Sequence, residues 1–250
     1  MDAAFGMALL LTTLAGLSTG IGSLIGIAFR PGPRFMATSL GFAAGIMILV
    51  SFAELLPAGL EELGFLPAYA AFFGGMLLMF LLDVSVPHLY LAEAPQEGRR
   101  AALWRTSVLL MLGIGIHNFP EGMATFAATL KETDLGIAMA VAIAVHNIPE
   151  GIAVSAPVFA ATGSRKRAFL FSLLSGVAEP VGALIAGLVL LPFLTPAALA
   201  AMLAVVAGLM VFISLDELVP AANAYGHEHT TILAAMGGMA IMAASLWLLG

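Results

Sequence analysis

One hexapeptide occurs twice in the chain, as His117-Asn118-Phe119-Pro120-Glu121-Gly122 and as His146-Asn147-Ile148-Pro149-Glu150-Gly151. In a helix, residues four apart share a face. Each copy therefore sets an imidazole and a carboxylate side by side, His117 with Glu121 and His146 with Glu150, and an Asn stands next to each His. Imidazole nitrogen, carboxylate and amide oxygen together suit a divalent transition metal. The proline three residues after each His removes a backbone hydrogen bond and can bend the helix there. Two such helices face to face would offer both His, both Glu and the oxygens of Asn118 and Asn147. With no cysteine among the 250 residues, thiolate ligands and disulfides are excluded.

The elements that must hold these groups are apolar. The chain is 61% hydrophobic and 10% charged, with a mean hydropathy of +1.07, far from a soluble globular composition. Eight apolar segments run over approximately 4–29, 36–57, 67–87, 102–129, 135–159, 167–192, 198–221 and 231–249. Several exceed the ~18 residues that argue for a spanning helix. The expected fold is all-α, a polytopic membrane helical bundle of eight transmembrane helices, with residues 1–250 forming a single domain. The N-terminus has no positive leader region, only Asp2 before its apolar run, and reads as a retained helix rather than a signal peptide. Arg30 and Arg34, then Arg99 and Arg100 with Arg105 just beyond, then Arg165, Lys166 and Arg167 mark the odd-numbered connections. The positive-inside rule puts those connections in the cytoplasm and both termini outside. No basic tail or aromatic-basic surface suggests a nucleic acid partner.

Ionisable residues inside spanning helices are costly and are functional candidates by default. Here they are Glu54, Asp83, Glu121, Glu150, Glu179, Asp216 and Glu217, with His117 and His146. No Lys or Arg is expected at a helix centre to neutralise the acids, so protons, water or bound cations must. His117 lies ~21 Å and His146 ~17 Å into their antiparallel segments at the helical rise, near the middle of a ~30 Å hydrocarbon layer. Glu179, which precedes Pro180, reads as a further ligand. Glu54 on one side of that level, and Asp216 and Glu217 on the other, mark a transport path. Asp83 reads equally well as a neutral, hydrogen-bonded carboxyl. His88, His227 and His229 sit at segment edges and read as ordinary surface residues.

A second repeat links segment two, Ser51-Phe52-Ala53-Glu54-Leu55-Leu56-Pro57, to segment seven, Ser214-Leu215-Asp216-Glu217-Leu218-Val219-Pro220. The two segments run in opposite directions, the signature of an inverted repeat. Segments one to three and six to eight would be its halves, flanking segments four and five.

The doubled His-Asn-x-Pro-Glu-Gly, with Ser-x-Asp-Glu-Leu-x-Pro in segment seven, resembles the ZIP (Zrt-, Irt-like) divalent-metal transporters, most of all their bacterial ZupT-type branch. The resemblance covers essentially the whole chain. It implies import of Zn²⁺, with Fe²⁺, Mn²⁺, Co²⁺ and Cd²⁺ as further substrates, across a bacterial cytoplasmic membrane by alternating access. It also implies metal ligation by His117, Asn118, Glu121, His146, Asn147, Glu150 and Glu179, and a scaffold of segments two, three, seven and eight. Some relatives carry Asp where Asn147 stands, and the neutral amide lowers the charge at a second metal position. No cofactor is expected and no P-loop is present. Partners are metal ions and the lipid bilayer; a homodimer suits a small bundle, although no residue pattern specifies one. The rival readings are an intramembrane metal-dependent hydrolase, which lacks a His-Glu-x-x-His motif, and a metal sensor, which lacks a soluble signalling domain.

Overall fold

Each apolar run becomes a helix because a backbone in hydrocarbon must satisfy its own hydrogen bonds. The structure, a computed structural model, describes residues 3–28, 32–85, 98–190, 193 and 195–249. Among them lie eight long helices and no strand: α1 (Ala3–Ala28), α2 (Pro33–Leu63), α3 (Phe65–Ser85), α4 (Arg99–Lys131), α5 (Thr133–Thr162), α6 (Arg165–Val189), α7 (Pro196–Asn223) and α8 (Glu228–Leu249). All but α4 are long and apolar enough to cross a membrane; α4 is diluted by its arginines and its hexapeptide. This is a multi-pass membrane protein. His88, Arg30 and most of the connection from 91 onwards lie outside the described residues.

The helices overrun the expected segments, most clearly 36–57, which became Pro33–Leu63, and 135–159, which became Thr133–Thr162. Hydropathy sees only the apolar part of a helix, whereas hydrogen bonding continues into its polar ends. Pro33 and Pro196 occupy first-turn positions, where a missing N–H costs nothing. Ser164 and Thr195 accept hydrogen bonds from the amides of Arg167 and Ala198 at 3.3 and 3.1 Å, capping α6 and α7. Gly163, at φ 67°, closes α5 in the left-handed region.

Three helices are not uniform, and α6 ends in a wide turn at Ala186–Leu190. α2 and α7 each contain one wide π-helical turn, Ser51–Leu55 and Ser214–Leu218. Pro57 and Pro220 lie just beyond. Proline has no N–H, so the carbonyls of Ala53 and Asp216 lose their usual partners and the ladder loosens into the wider turn. The Ser51 and Ser214 hydroxyls donate to the carbonyls of Met47 and Met210, both at 2.7 Å. The wide turns carry Glu54, and Asp216 with Glu217.

The helices pack as two groups. α1, α4, α5 and α6 pack on one another, whereas α2 packs on α8 and α3 on α7. The groups meet chiefly where α2 touches α5 and α4 touches α7. Glycines bring the backbones together. A Cβ on Gly122 would lie 2.1 Å from the Glu179 carbonyl, and one on Gly151 2.0 Å from the Thr19 carbonyl. The last residue of each hexapeptide is thus what lets α4 close on α6 and α5 on α1. Gly16, Gly22, Gly26, Gly41 and Gly45 make similar close approaches, while Gly20 meets only ordinary van der Waals neighbours. Large apolar side chains of α1, α3 and α8, among them Leu14, Phe73 and Trp247, are exposed on the outside of the bundle, as lipid-facing residues must be.

Candidate metal centre

Glu132 alone separates α4 from α5, and the two helices pack against each other in opposite directions. That brings the two hexapeptides to one level in reverse order. His117 Nε2 lies 3.1 Å from Glu150 Oε1, and His146 Nε2 lies 3.4 Å from Glu121 Oε1. The expected partners within each helix, His117 with Glu121 and His146 with Glu150, are therefore exchanged. Residues four apart stand one above the other and both look across at the neighbouring helix, so in an antiparallel pair each His meets the other copy's Glu.

The Asn residues are fixed from behind. Asn118 Nδ2 donates to the Ser175 carbonyl of α6 at 3.2 Å. Asn147 Nδ2 donates to the Ala15 carbonyl of α1 at 3.0 Å and to Glu179 Oε1. Both amides thereby turn their oxygens the other way, and Glu179 joins the group through Asn147. His117, Asn118, Glu121, His146, Asn147, Glu150 and Glu179 are all buried, and the structure brings all seven together on α4, α5 and α6.

Within this group His117 Nδ1, Asn118 Oδ1, both Glu121 oxygens, both His146 nitrogens, Asn147 Oδ1, Glu150 Oε2 and Glu179 Oε2 have no hydrogen-bond partner. Leaving one such atom buried and unpaired costs about 1–3 kcal/mol, and native interiors tolerate few. A concentration of them, all nitrogen and oxygen, is what a cation-binding centre needs. The separation within each crossed pair fits as well, although no three His or Glu ligand atoms of this group come within 4.8 Å of one another. Zinc holds His nitrogen and carboxylate oxygen at ~2.0–2.2 Å in a tetrahedron, which puts neighbouring ligand atoms ~3.3 Å apart, close to the separations in both crossed pairs.

Glu54 does not touch these pairs but shares a cavity with them. A space of ≈ 120 Å³ is lined by Glu54 of α2, Glu121 of α4, Met139 and His146 of α5 and Leu203 of α7. That is room for several waters. Asp216 and Glu217 lie apart from the centre, and here one expectation fails. Arg105, read from the sequence as part of a connection, belongs to α4 and is only 6% exposed. It donates to Glu217 Oε1 at 3.1 Å and to Asp83 Oδ1. The acids of the bundle are therefore not all without a basic partner, and Asp83 is an ion-paired carboxylate rather than a lone neutral carboxyl. The carboxylate oxygens of Asp83, Asp216 and Glu217 lie within 4.8 Å of one another, a tighter anionic set than the crossed pairs, but a guanidinium already sits against it. The sequence signal was present: Arg105 falls inside the fourth apolar segment, one residue after Trp104.

A family model described as ZIP Zinc transporter matches residues 93–246, which include both hexapeptides. The chain is 49% identical to a protein named Zinc transporter ZupT from Corynebacterium efficiens over 95% of each chain. It is 49% identical to a second from Chlorobium luteolum over 98% of each, and 47% identical to a third from Lysinibacillus sphaericus over the full length of both.

Proposed function

The chain belongs to the ZIP family of zinc transporters, and from that premise we propose that it carries Zn²⁺ and similar divalent ions through the membrane, binding them at the crossed His–Glu pairs. The observation that carries this reading is the buried concentration of nitrogen and oxygen atoms without hydrogen-bond partners on α4, α5 and α6, with each His beside the other copy's Glu. His117, Glu121, His146 and Glu150 are the core ligands, with Asn118, Asn147 and Glu179 completing or extending the set. The relatives are named for zinc transport, which supports transport over hydrolysis.

The route has a direction. The arginine pattern of the connections supports a cytoplasmic membrane topology with both termini outside. Glu54 then lies on the outer side of the centre, where it collects metal in the cavity it shares with Glu121 and His146. Asp216 and Glu217 lie on the cytoplasmic side. Residues 1–250 act as one transport domain, built as an inverted repeat in which α1, α2 and α3 correspond to α6, α7 and α8. Three features support that repeat. The wide turns of α2 and α7 occupy matching positions; α2–α8 packing matches α7–α3; and α2 on α5 matches α7 on α4. Alternating access is motion of the group α1, α4, α5 and α6 against the group α2, α3, α7 and α8, as expected for inverted-repeat transporters. Zn²⁺ is substrate here, not cofactor.

Zn²⁺ uptake into sealed proteoliposomes tests the reading. The intact protein should show saturable uptake, and Glu121→Ala and Glu150→Ala should each abolish it while the protein remains folded. Undiminished uptake in both variants would rule out the crossed pairs as the transport site.

A further inference from the structure

Arg105 lies near the start of α4, twelve residues before His117 and so ~18 Å from it along the helix. Among the described residues it bonds to α3, through Asp83, and to the wide turn of α7, through Glu217. Asp216 adds a third carboxylate to the same cluster, so one guanidinium faces three acids. All three helix ends are joined by side chains across the boundary between the two helix groups.

Two features set this cluster apart from ordinary packing. First, α3 and α4 share little backbone packing among the described residues; beside the contact of Met79 with Gly113, the Arg105–Asp83 bond ties the two helices together. Buried ion pairs add little net stability, because desolvation offsets attraction, and charged groups are expensive at membrane depth. What such a bridge supplies is a preference for one arrangement of the two groups. Second, the two ends of the bundle differ. On the Glu54 side a cavity reaches Glu121 and His146. On the Arg105 side the boundary between the groups is filled: Ile213 of α7, fully buried, sits on Gly113 of α4, where an added Cβ would meet its Cδ1 at 2.4 Å. Gly113 lies midway between Arg105 and Glu121 in sequence.

We infer that Arg105 is a tethered internal cation that latches the two helix groups together at the end of the bundle away from Glu54, closing the route from the metal centre, and that its release from Asp83 and Glu217 opens that end. The meaning of opening rests on the transport reading; the closure itself does not, and it is measured without transport.

The chain has no cysteine, so Ile213→Cys gives a single thiol at the closed boundary. Its reaction with a membrane-impermeant maleimide is followed in detergent-solubilised protein, with folding checked by gel filtration and thermal melting. The parent thiol should react slowly. Arg105→Gln should raise the rate at least about tenfold. Loss of Arg105 also removes a neutralising charge from the acids it bonds, so Arg105→Gln is combined with Asp83→Asn and Glu217→Gln. A latch predicts that this neutralised triple variant stays fast. A merely structural role predicts that it returns to the parent rate, since its buried charges are gone. Parent-rate labelling in the folded triple variant, or in folded Arg105→Gln, overturns the latch. Where Arg105→Gln fails to fold, the triple variant alone decides. Zn²⁺ uptake is read separately: fast labelling in these variants, with no uptake by the intact protein, would keep the latch and sink the transport reading.

Discussion

The metal centre is defined by which His meets which Glu. In the metal-free protein the energetic partners are His117 with Glu150 and His146 with Glu121. Residues in contact couple by roughly 0.5–3 kcal/mol in double-mutant cycles. In chelator-treated protein, His117→Ala and Glu150→Ala should therefore couple in denaturation measurements, and more strongly than His117→Ala with Glu121→Ala. Stronger coupling within a helix would mean the pairs are not crossed. Asn147 offers a second test. Its amide donates to Glu179 and to the Ala15 carbonyl, two bonds that a carboxylate cannot make. Asn147→Asp also sets a like charge against Glu179. The variant should melt at a lower temperature than the parent without metal, and Zn²⁺ should raise its melting temperature by more than it raises the parent's. Equal Zn²⁺ stabilisation in both proteins would show that this position is remote from the ion.

At the scale of the element, helices are held at backbone distance by glycine. A Cβ at Gly122 or Gly151 would press into a carbonyl of the neighbouring helix at about van der Waals overlap, 2.1 and 2.0 Å. A carbonyl fixed in its own helix cannot turn aside, so the helices must separate. Overpacking of this kind costs about 1–3 kcal/mol. Gly122→Ala and Gly151→Ala should each destabilise the protein by that amount in denaturation, whereas Gly74→Ala, with nothing within 4 Å of the added carbon, should not. Helix propensity alone favours Ala over Gly by about 1 kcal/mol, so a loss in Gly74→Ala equal to the other two would show that the close approaches are not its cause. The wide turns of α2 and α7 belong to this scale as well. Proline and a back-bonded serine produce them, and they bring carboxylates to positions that a regular helix would rotate away.

At the scale of the molecule, the proposed alternating access makes the two helix groups the moving parts, so a covalent tie between them should behave differently from a tie within one. A disulfide from Gly113→Cys with Ile213→Cys joins the groups. One from Gly59→Cys with Ala68→Cys stays within the α2–α3 pair, where the Cβ atoms would lie 3.7 Å apart, suitable for a disulfide. Oxidation should stop Zn²⁺ uptake in the first variant, reversibly with reductant, and leave it in the second. Uptake that survives a complete 113–213 cross-link would exclude relative motion of the groups at that boundary.

The sequence by itself determined that the chain is all-helical and membrane-spanning, and it named the buried His, Asn and Glu residues that come together on α4, α5 and α6. Those properties are local. Hydropathy is set by composition over one helix length, and a His-Asn-x-Pro-Glu-Gly copy is six adjacent residues. What tertiary structure alone decided is partnership. The crossing of the His–Glu pairs depends on α5 running back along α4 at one level; the capture of Asp83 and Glu217 by Arg105 depends on three helices distant in sequence arriving at one end. Arg105 read as the edge of a connection because the apolar pattern cannot show whether a cation at a helix start faces water or acids. Hydropathy counts residues along one chain, whereas a buried charge is stable only against partners brought from elsewhere in the fold.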